Sequence, residues 1–541
     1  MAARLTAHVD RFVLDCLPPD EQLPEFRFDL PALHYPDRLN AAVELIDRGD
    51  PDRIAVVNAA GRWRYGEMRT LSDRIARLLV EREGLVPGNR VLLCGPNSAM
   101  MIASWLAVLK AGGVVVTTMP ILRAAEIATI MAQGAVSHAI VDSRTGEDFA
   151  AAAAASPTLR SALYYNGDAG DGELERVLSG IEPGFTPVAT YRDDPALIAF
   201  TSGTTGVPKG CIHYHRDILA PADSFAATIL CPRADDVWIC SAPLAFTFGL
   251  GMQVIFPLRF GGTAATVEMP GPKALLDAAR TLGVTIMATA PTAYKAMLAL
   301  LGDDGAPPAL RCCVAAGENL PEPIWHDWYR ATGIKLINGI GATEMMHIFI
   351  SASGHDIRPG TTGKPVPGYQ AMLLDDAGAP LATGTGRLAV KGPTGCRYLA
   401  DARQARYVVD GWNVTGDIYR RDADGYFSYV ARTDDMIISS GYNIAAPEVE
   451  AALLSHEAVT ECAVVGIASA ERGQQVAAAI VVRAGVAADG ELAAQLQNHV
   501  KAAIAPYKYP RTIVFVAELP RTATGKVKRD ALPGLFPAAR A

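Results

Sequence analysis

Short apolar runs separated by helix-patterned stretches recur through the first half of the chain. That alternation limits the possible folds more than any other feature. Arg90-Val-Leu-Leu-Cys94 reads as a buried strand, Met100–Lys110 as the helix after it, and Gly113–Thr117 as the next strand. Ala135–Val141 and Ala196–Phe200 are further apolar runs of strand length. Strands apolar on both faces and interleaved with helices predict parallel sheets covered by helices. Within residues 145–195, the alanine run Ala150–Ala155 reads as helix and the Gly/Asp-rich stretch Asn166–Gly172 as surface loop. From Gly363 the texture changes to short runs such as Ala371–Leu374 and Arg387–Val390 between Gly/Pro/Asp turns, which suits a small antiparallel sheet. After Arg432 it changes again. Pro447–His456 reads as a helix opening on proline, Val459–Ile467 as a strand, Leu492, Leu496 and Val500 as one face of a helix, and Thr512–Val516 as a strand. The expected class is α/β. A large N-terminal domain of stacked mixed sheets with helices would span 1–432, with a small β unit at about 363–432. A small, mobile α+β C-terminal domain would span 433–541.

Composition enters where it excludes. Half of the 541 residues are hydrophobic and 20% are charged, too apolar for a disordered chain. A formal charge of −8 argues against a nucleic-acid partner, which calls for a basic face. The mean hydropathy of +0.16 raises the question of a membrane span. The most apolar stretch, Met100–Leu122, is broken by Lys110, two glycines and Pro120, so no span is expected. Arg4, His8, Asp10 and Arg11 leave no room for a signal-peptide apolar region, and Pro537–Ala541 carries neither lipidation box nor peroxisomal address. Nine cysteines in irregular spacing, with no C-x-x-C, read as free thiols of a reducing compartment. The expectation is a cytoplasmic protein, monomer or homodimer, without structural zinc or disulfides.

The strongest local signal is Thr201-Ser-Gly-Thr-Thr-Gly-Val-Pro-Lys-Gly210, directly after the apolar run Ala196–Phe200. A loop at the carboxyl end of a strand is where ligands collect in open α/β sheets. Gly203, Gly206 and Gly210 let the backbone turn its N–H groups toward an anion. Thr201, Ser202, Thr204 and Thr205 add hydroxyl donors, and Lys209 adds a positive charge. The spacing is neither that of a P-loop nor that of a dinucleotide fingerprint.

This loop resembles the signature of the adenylate-forming superfamily of acyl- and aryl-CoA ligases, peptide-synthetase adenylation domains and firefly luciferase. Further segments match in order: Asn338-Gly-Ile-Gly-Ala-Thr-Glu344, Gly411-Trp-Asn-Val-Thr-Gly-Asp417, Arg432-Thr-Asp-Asp-Met436, Ser440-Gly-Tyr-Asn-Ile444 and Pro520-Arg-Thr-Ala-Thr-Gly-Lys526. The resemblance implies a two-step reaction: a carboxylate attacks the α-phosphorus of ATP, releasing pyrophosphate, and a thiol then displaces AMP from the acyl-adenylate. Catalysis of the first step is chiefly charge neutralisation and positioning. By resemblance, Glu344 binds Mg2+ and Thr343 lies beside the α-phosphate. Ala316, Gly317 and Glu318 flank the adenine, and Asn338, Gly339, Ile340 and Gly341 form the second nucleotide motif. Relatives carry Tyr where this chain has Ile340, so an apolar face contact replaces stacking. Asp417 accepts from the ribose hydroxyls and Arg432 adds a donor. Lys526 bridges the substrate carboxylate and phosphate during adenylation. Asp434 marks the hinge about which the C-terminal domain turns, bringing Ser440, Gly441 and Tyr442 to coenzyme A.

Pro243-Leu-Ala-Phe-Thr-Phe-Gly-Leu-Gly251 aligns with the segment that floors the acyl pocket in this family. With Glu344-Met-Met-His-Ile-Phe-Ile350 it resembles the benzoate-CoA ligase group and its 2-aminobenzoate branch. Phe246, Thr247, Phe248, Gly249, Gly341, His347 and Ile348 would line a short, flat pocket for a small aromatic acid. The Thr247 hydroxyl would partner an ortho-amino or hydroxyl group. The alternatives are a medium-chain fatty acyl-CoA ligase, transfer to a carrier-protein thiol, or a nucleotide-binding regulator. The last is disfavoured by the intact Lys526, Glu344 and Asp417.

Overall fold

The computed structural model describes residues 5–168, 170–201, 208–302, 305–433, 436–439, 442–469, 473–504, 506–522 and 525–536. The chain divides into two compact units. One comprises Met1–Ala371 with Ala389–Val414, the other Met372–Leu388 with Thr415–Ala541.

The first unit holds two mixed sheets. The smaller runs in the order Ser161–Tyr165, His138–Asp142, Arg90–Cys94, Val114–Thr118, Pro195–Thr201, Lys209–Tyr214. Its first five strands are parallel and the last is antiparallel. The larger has nine strands. Ile54–Val57, Thr263–Ala265, Val237–Cys240, Ile286–Thr289, Cys312–Ala315 and Leu336–Gly341 run parallel through its middle. Antiparallel strands close both edges: Arg62–Arg64 on one side, Ile348–Ser351 and Lys364–Pro365 on the other. The parallel core expected from the alternation is therefore present. Arg62–Arg64, Lys209–Tyr214 and Ile348–Ser351 each follow a connection too short for a parallel crossover, so they pair antiparallel.

Helix Ala99–Lys110 is buried all round. Ser98 caps its start, the hydroxyl accepting from Met101 N–H at 3.2 Å. Lys110 at its end is 0% exposed, with Nζ 2.7 Å from both Asp47 and Asp73. A charge so enclosed is tolerable only when paired. The loop read as mere surface, Asn166–Gly172, has a structural use: the Asp168 carboxylate accepts from Ala99 and Met100 N–H at 3.2 and 3.1 Å. The strand expected from Ala135 begins at His138, because Ala135 takes a positive φ of 43° just past helix Ala124–Gln133.

In the second unit, Val459–Ser469 and Gly473–Val482 form a long antiparallel pair. Thr512–Phe515 joins the latter in parallel, and Met436–Ser439 pairs with Tyr442–Ala445. Helices Ala446–Leu454 and Gly490–Ala503 cover this sheet. Leu492, Leu496 and Val500 pack with Val449, Leu453 and Ile480 in one core, as their spacing of four requires. A further ribbon pairs Asp417–Arg421 with Phe427–Arg432.

Among the described residues no helix is long and apolar enough to cross a membrane. All nine cysteines are free thiols, six of them buried.

Candidate functional site

Strand Lys209–Tyr214 organises the nucleotide side. Side chains of alternate residues share a face, which puts Lys209, Cys211 and His213 together. Thr201, the last residue of the neighbouring strand, is the cross-strand partner of Lys209. Its hydroxyl is buried without a hydrogen-bond partner among the described residues. Ser202, Gly203, Thr204, Thr205 and Gly206 lie outside the described residues. The Lys209 Nζ donates to the Tyr398 hydroxyl at 3.1 Å and stands 3.8 Å from Glu344 Oε1. The Tyr398 hydroxyl in turn donates to Glu344 Oε1. Glu344 is only 8% exposed. His213 reaches the Thr343 carbonyl through Nε2 at 2.8 Å. A carbonyl only accepts, so Nε2 carries the proton. Burial pushes the His213 pKa down to about 4, and the ring stays neutral. Lys209 of the phosphate loop and Thr343 and Glu344 of the second nucleotide motif are thus joined through Tyr398 and His213.

The second nucleotide motif is strand Leu336–Gly341, hydrogen-bonded to Ile348–Ser351 with a register shift at Ile340/Gly341. Asn338 donates to the Thr361 carbonyl at 3.1 Å, and its own carbonyl accepts from Ser351 at 2.7 Å. Gly339 packs against Ile348. A Cβ on Gly341 would lie 2.8 Å from the His347 carbonyl oxygen, so the close crossing demands glycine there. Ile340 is half-buried. Ala316, Gly317 and Glu318 follow the adjacent strand Cys312–Ala315, with Gly317 exposed and Glu318 half-buried. Between Glu344 and His347 the chain makes an unusual turn. Met346 has φ 66° and ψ −37°, and His347 N–H donates to the Met345 carbonyl at 2.8 Å. That is a γ-turn of the strained, positive-φ kind.

The turn delivers His347, 3% exposed, into a collar of phenyl rings. Its ring centroid lies 5.5 Å from those of Phe225 and Phe248 and 4.6 Å from that of Phe256. Two of these rings come from or adjoin π-helical turns, Ala222–Leu230 and Gly251–Ile255, a form that recurs at functional sites. A Cβ on Gly251 would meet the imidazole Cδ2 at 2.4 Å. The Phe248 carbonyl accepts from His347 Nε2 at 3.4 Å, and Nδ1 has no partner among the described residues. Burial pushes the His347 pKa down to about 3. The ring is neutral, with an unused acceptor at Nδ1. Phe246 precedes helical turn Thr247–Leu250, in which Thr247 and Gly249 are buried and Phe248 is half-buried. Among the described residues the Thr247 hydroxyl makes no hydrogen bond.

In the second unit, Asp417 and Arg432 are cross-strand partners, with Nη1 donating to Oδ1 at 3.0 Å. Thr433 donates to the Gly416 carbonyl at 3.0 Å. Lys526 is exposed, on a loop closed by Thr522 N–H donating to the Lys526 carbonyl at 2.7 Å. Tyr442 opens strand Tyr442–Ala445. Asp434, Ser440 and Gly441 lie outside the described residues.

The AMP-binding enzyme family matches residues 44–398, and the AMP-binding enzyme C-terminal domain matches residues 448–526. A benzoate–CoA ligase of Thauera aromatica is 36% identical over 512 residues, 92% of this chain and 96% of that protein. The crystal structure of an anthranilate CoA ligase in complex with anthranoyl-AMP superposes with a TM-score of 0.88 at 31% identity, covering 93% of this chain and 98% of that one. A benzoate CoA ligase from Burkholderia xenovorans gives 0.83 at 32% identity, over 91% and 99%. The chain belongs to the AMP-binding enzyme family of adenylate-forming proteins. Within it, this is an acid–thiol ligase of the aryl-CoA ligase group, for which ATP and coenzyme A are the implied cosubstrates.

Four residues of the site carry no sequence signal of their own. Tyr398 sits in Cys396-Arg-Tyr-Leu399, outside every recognised motif, and Phe225 and Phe256 look like ordinary core. Of the four, only His213, three residues past the phosphate loop and on the face of Lys209 and Cys211, is findable from the period of two.

Proposed function

We propose that this ligase activates a benzoate-type aromatic acid, 2-aminobenzoate foremost, as its acyl-adenylate, and then transfers the acyl group to coenzyme A with release of AMP. The observation that carries this reading is the His347 collar. Three phenyl rings, a neutral imidazole with a free acceptor at Nδ1 and an unpaired Thr247 hydroxyl suit a flat ring bearing an ortho donor. A medium-chain acid would need depth beyond Thr247 and Phe248.

Adenylation gathers negative charge at the α-phosphorus. Lys209, Thr343 and the phosphate loop are proposed to neutralise and orient the triphosphate. Among the described residues no three His, Cys, Asp or Glu side chains cluster as a metal cage. Magnesium suits the site regardless, because it uses one or two carboxylates and completes its shell with phosphate oxygens and water. Glu344 is the proposed carboxylate, and Mg2+ bound there would supply charge neutralisation at the phosphates. Ala316–Glu318 and Asn338–Gly341 are proposed to hold the adenine, and Asp417 and Arg432 the ribose. Lys526 is proposed to serve the first half-reaction only. Residues 433–541 are proposed to move about Asp434, so that Ser440, Gly441 and Tyr442 serve the second. The free thiols favour a cytoplasmic setting.

The test is ATP-dependent CoA-thioester formation across 2-aminobenzoate, benzoate, the hydroxybenzoates and hexanoate. The highest kcat/KM is expected for 2-aminobenzoate, and a preference for hexanoate refutes the reading.

A further inference from the structure

We propose that Tyr398 is a positioning residue for Glu344: its hydroxyl orients the carboxylate for the cation and keeps Lys209 from closing on it. The inference rests on the reading of Glu344 as the magnesium carboxylate.

The phenol is 1% exposed and held on several sides. Its backbone N–H donates to Gln404 Oε1 at 2.9 Å, its ring meets that of Tyr407 edge-on at 5.7 Å, and buried Cys211 and Cys396 pack around it. A hydroxyl has one hydrogen, and an ammonium can only donate. The order of donation is therefore fixed: Lys209 donates to Tyr398, and Tyr398 donates to Glu344 Oε1. Glu344 accepts no other hydrogen bond among the described residues, so Oε2 is left for a cation. The ammonium stands 3.8 Å from Oε1 and 5.0 Å from the centre of the phenol ring. Lys209 is already within ion-pairing distance of Oε1, and without the hydroxyl as its acceptor it is free to donate directly to the carboxylate, a charge-assisted contact that competes with the metal. Groups that orient a metal ligand are worth roughly 10- to 100-fold in affinity.

The experiment is Mn2+ binding to the full-length protein, read by electron paramagnetic resonance with a non-hydrolysable ATP analogue and no acid present. Tyr398→Phe keeps the ring and its packing. It is expected to weaken Mn2+ binding about tenfold while leaving KM for the aromatic acid within about twofold. Tyr398→4-aminophenylalanine, which restores an N–H donor, is expected to recover most of the loss; if the Phe variant folds poorly, Tyr398→4-fluorophenylalanine, which fills the hydroxyl's place without a hydrogen to donate, takes its place and is expected to show the same loss. Glu344→Gln is the control. If Glu344→Gln weakens Mn2+ binding and Tyr398→Phe does not, the Tyr398 role is wrong and the Glu344 reading stands. If neither variant changes it, the Glu344 reading itself fails.

Discussion

Met346 offers the sharpest test of how this site is built. Its φ of 66° lies where a side chain with a Cβ is strained, and the turn closes on His347 N–H to the Met345 carbonyl at 2.8 Å. Such a residue stores about 1–3 kcal/mol, held in place by the surrounding structure. The side chain is 1% exposed, so truncation to Ala removes core packing at a cost of about 2–5 kcal/mol. The informative comparison is among small replacements. At an ordinary buried position Gly is worse than Ala by about 1.5 kcal/mol, from roughly 0.8 for the lost methyl and 0.7 for backbone freedom. Here relief of about 2 kcal/mol of strain reverses the balance, leaving Met346→Gly about 0.5 kcal/mol more stable than Met346→Ala. Met346→Val, better than Ala where the backbone is relaxed, should be the worst, since a β-branched residue tolerates positive φ least. Urea unfolding of the three variants under one condition gives the order. Because the turn joins Glu344 to His347, kcat/KM is expected to follow Gly, Ala, Val as well. An order of Val above Ala above Gly in stability would mean that the turn is relaxed, and the argument would fall.

Acid should destabilise the fold well above the carboxylate range. Burial depresses His213 to about 4 and His215 and His347 to about 3, against about 6.5 in the unfolded chain. The unfolded state therefore takes up protons first. Stability is unaffected above pH ~6.5 and falls as the pH drops from there toward 4, by about 1.4 kcal/mol per pH unit for each histidine. Asp10, Asp236 and Asp401 are shifted down, so their losses come at lower pH. Burial lowers His138 as well, so His347→Phe should remove about a quarter to a third of the slope, and unchanged unfolding midpoints between pH 7 and 5 would contradict this. Thr247→Ala should lower the kcat/KM ratio of 2-aminobenzoate to benzoate about three- to tenfold, the worth of one neutral hydrogen bond; an unchanged ratio removes Thr247 from the pocket. Lys526→Ala should slow adenylation about a hundredfold or more yet spare thioester formation from supplied acyl-adenylate. Equal loss in single-turnover assays of both halves would rule out its restriction to the first.

The local chemistry of the chain was legible early. Strand Arg90–Cys94 and helix Ala99–Lys110 announce themselves because burial on all sides leaves continuous apolar runs. The helix face of Leu492, Leu496 and Val500 is written in its spacing, and the nucleotide motifs are short because each is one loop beside one strand end. Less legible were the antiparallel edges of the two large sheets. Period and composition report that a residue is buried, not which strand lies beside it.

Partnership was decided by tertiary structure alone. Lys209 finds Tyr398 across 189 residues, Tyr398 finds Glu344 across 54, and His213 finds the Thr343 carbonyl across 130. Two aspartates brought by other segments make the buried Lys110 tolerable, and nothing in a helix-patterned run names them. The sequence determined which residue types were available and which short segments would turn or extend, because those depend on neighbours within a few positions. The hydrogen-bond chain through Tyr398 and the ring collar around His347 depend on directions in space. Those directions exist only once strand Lys209–Tyr214 and the turn at Met346 have brought distant side chains within hydrogen-bonding range.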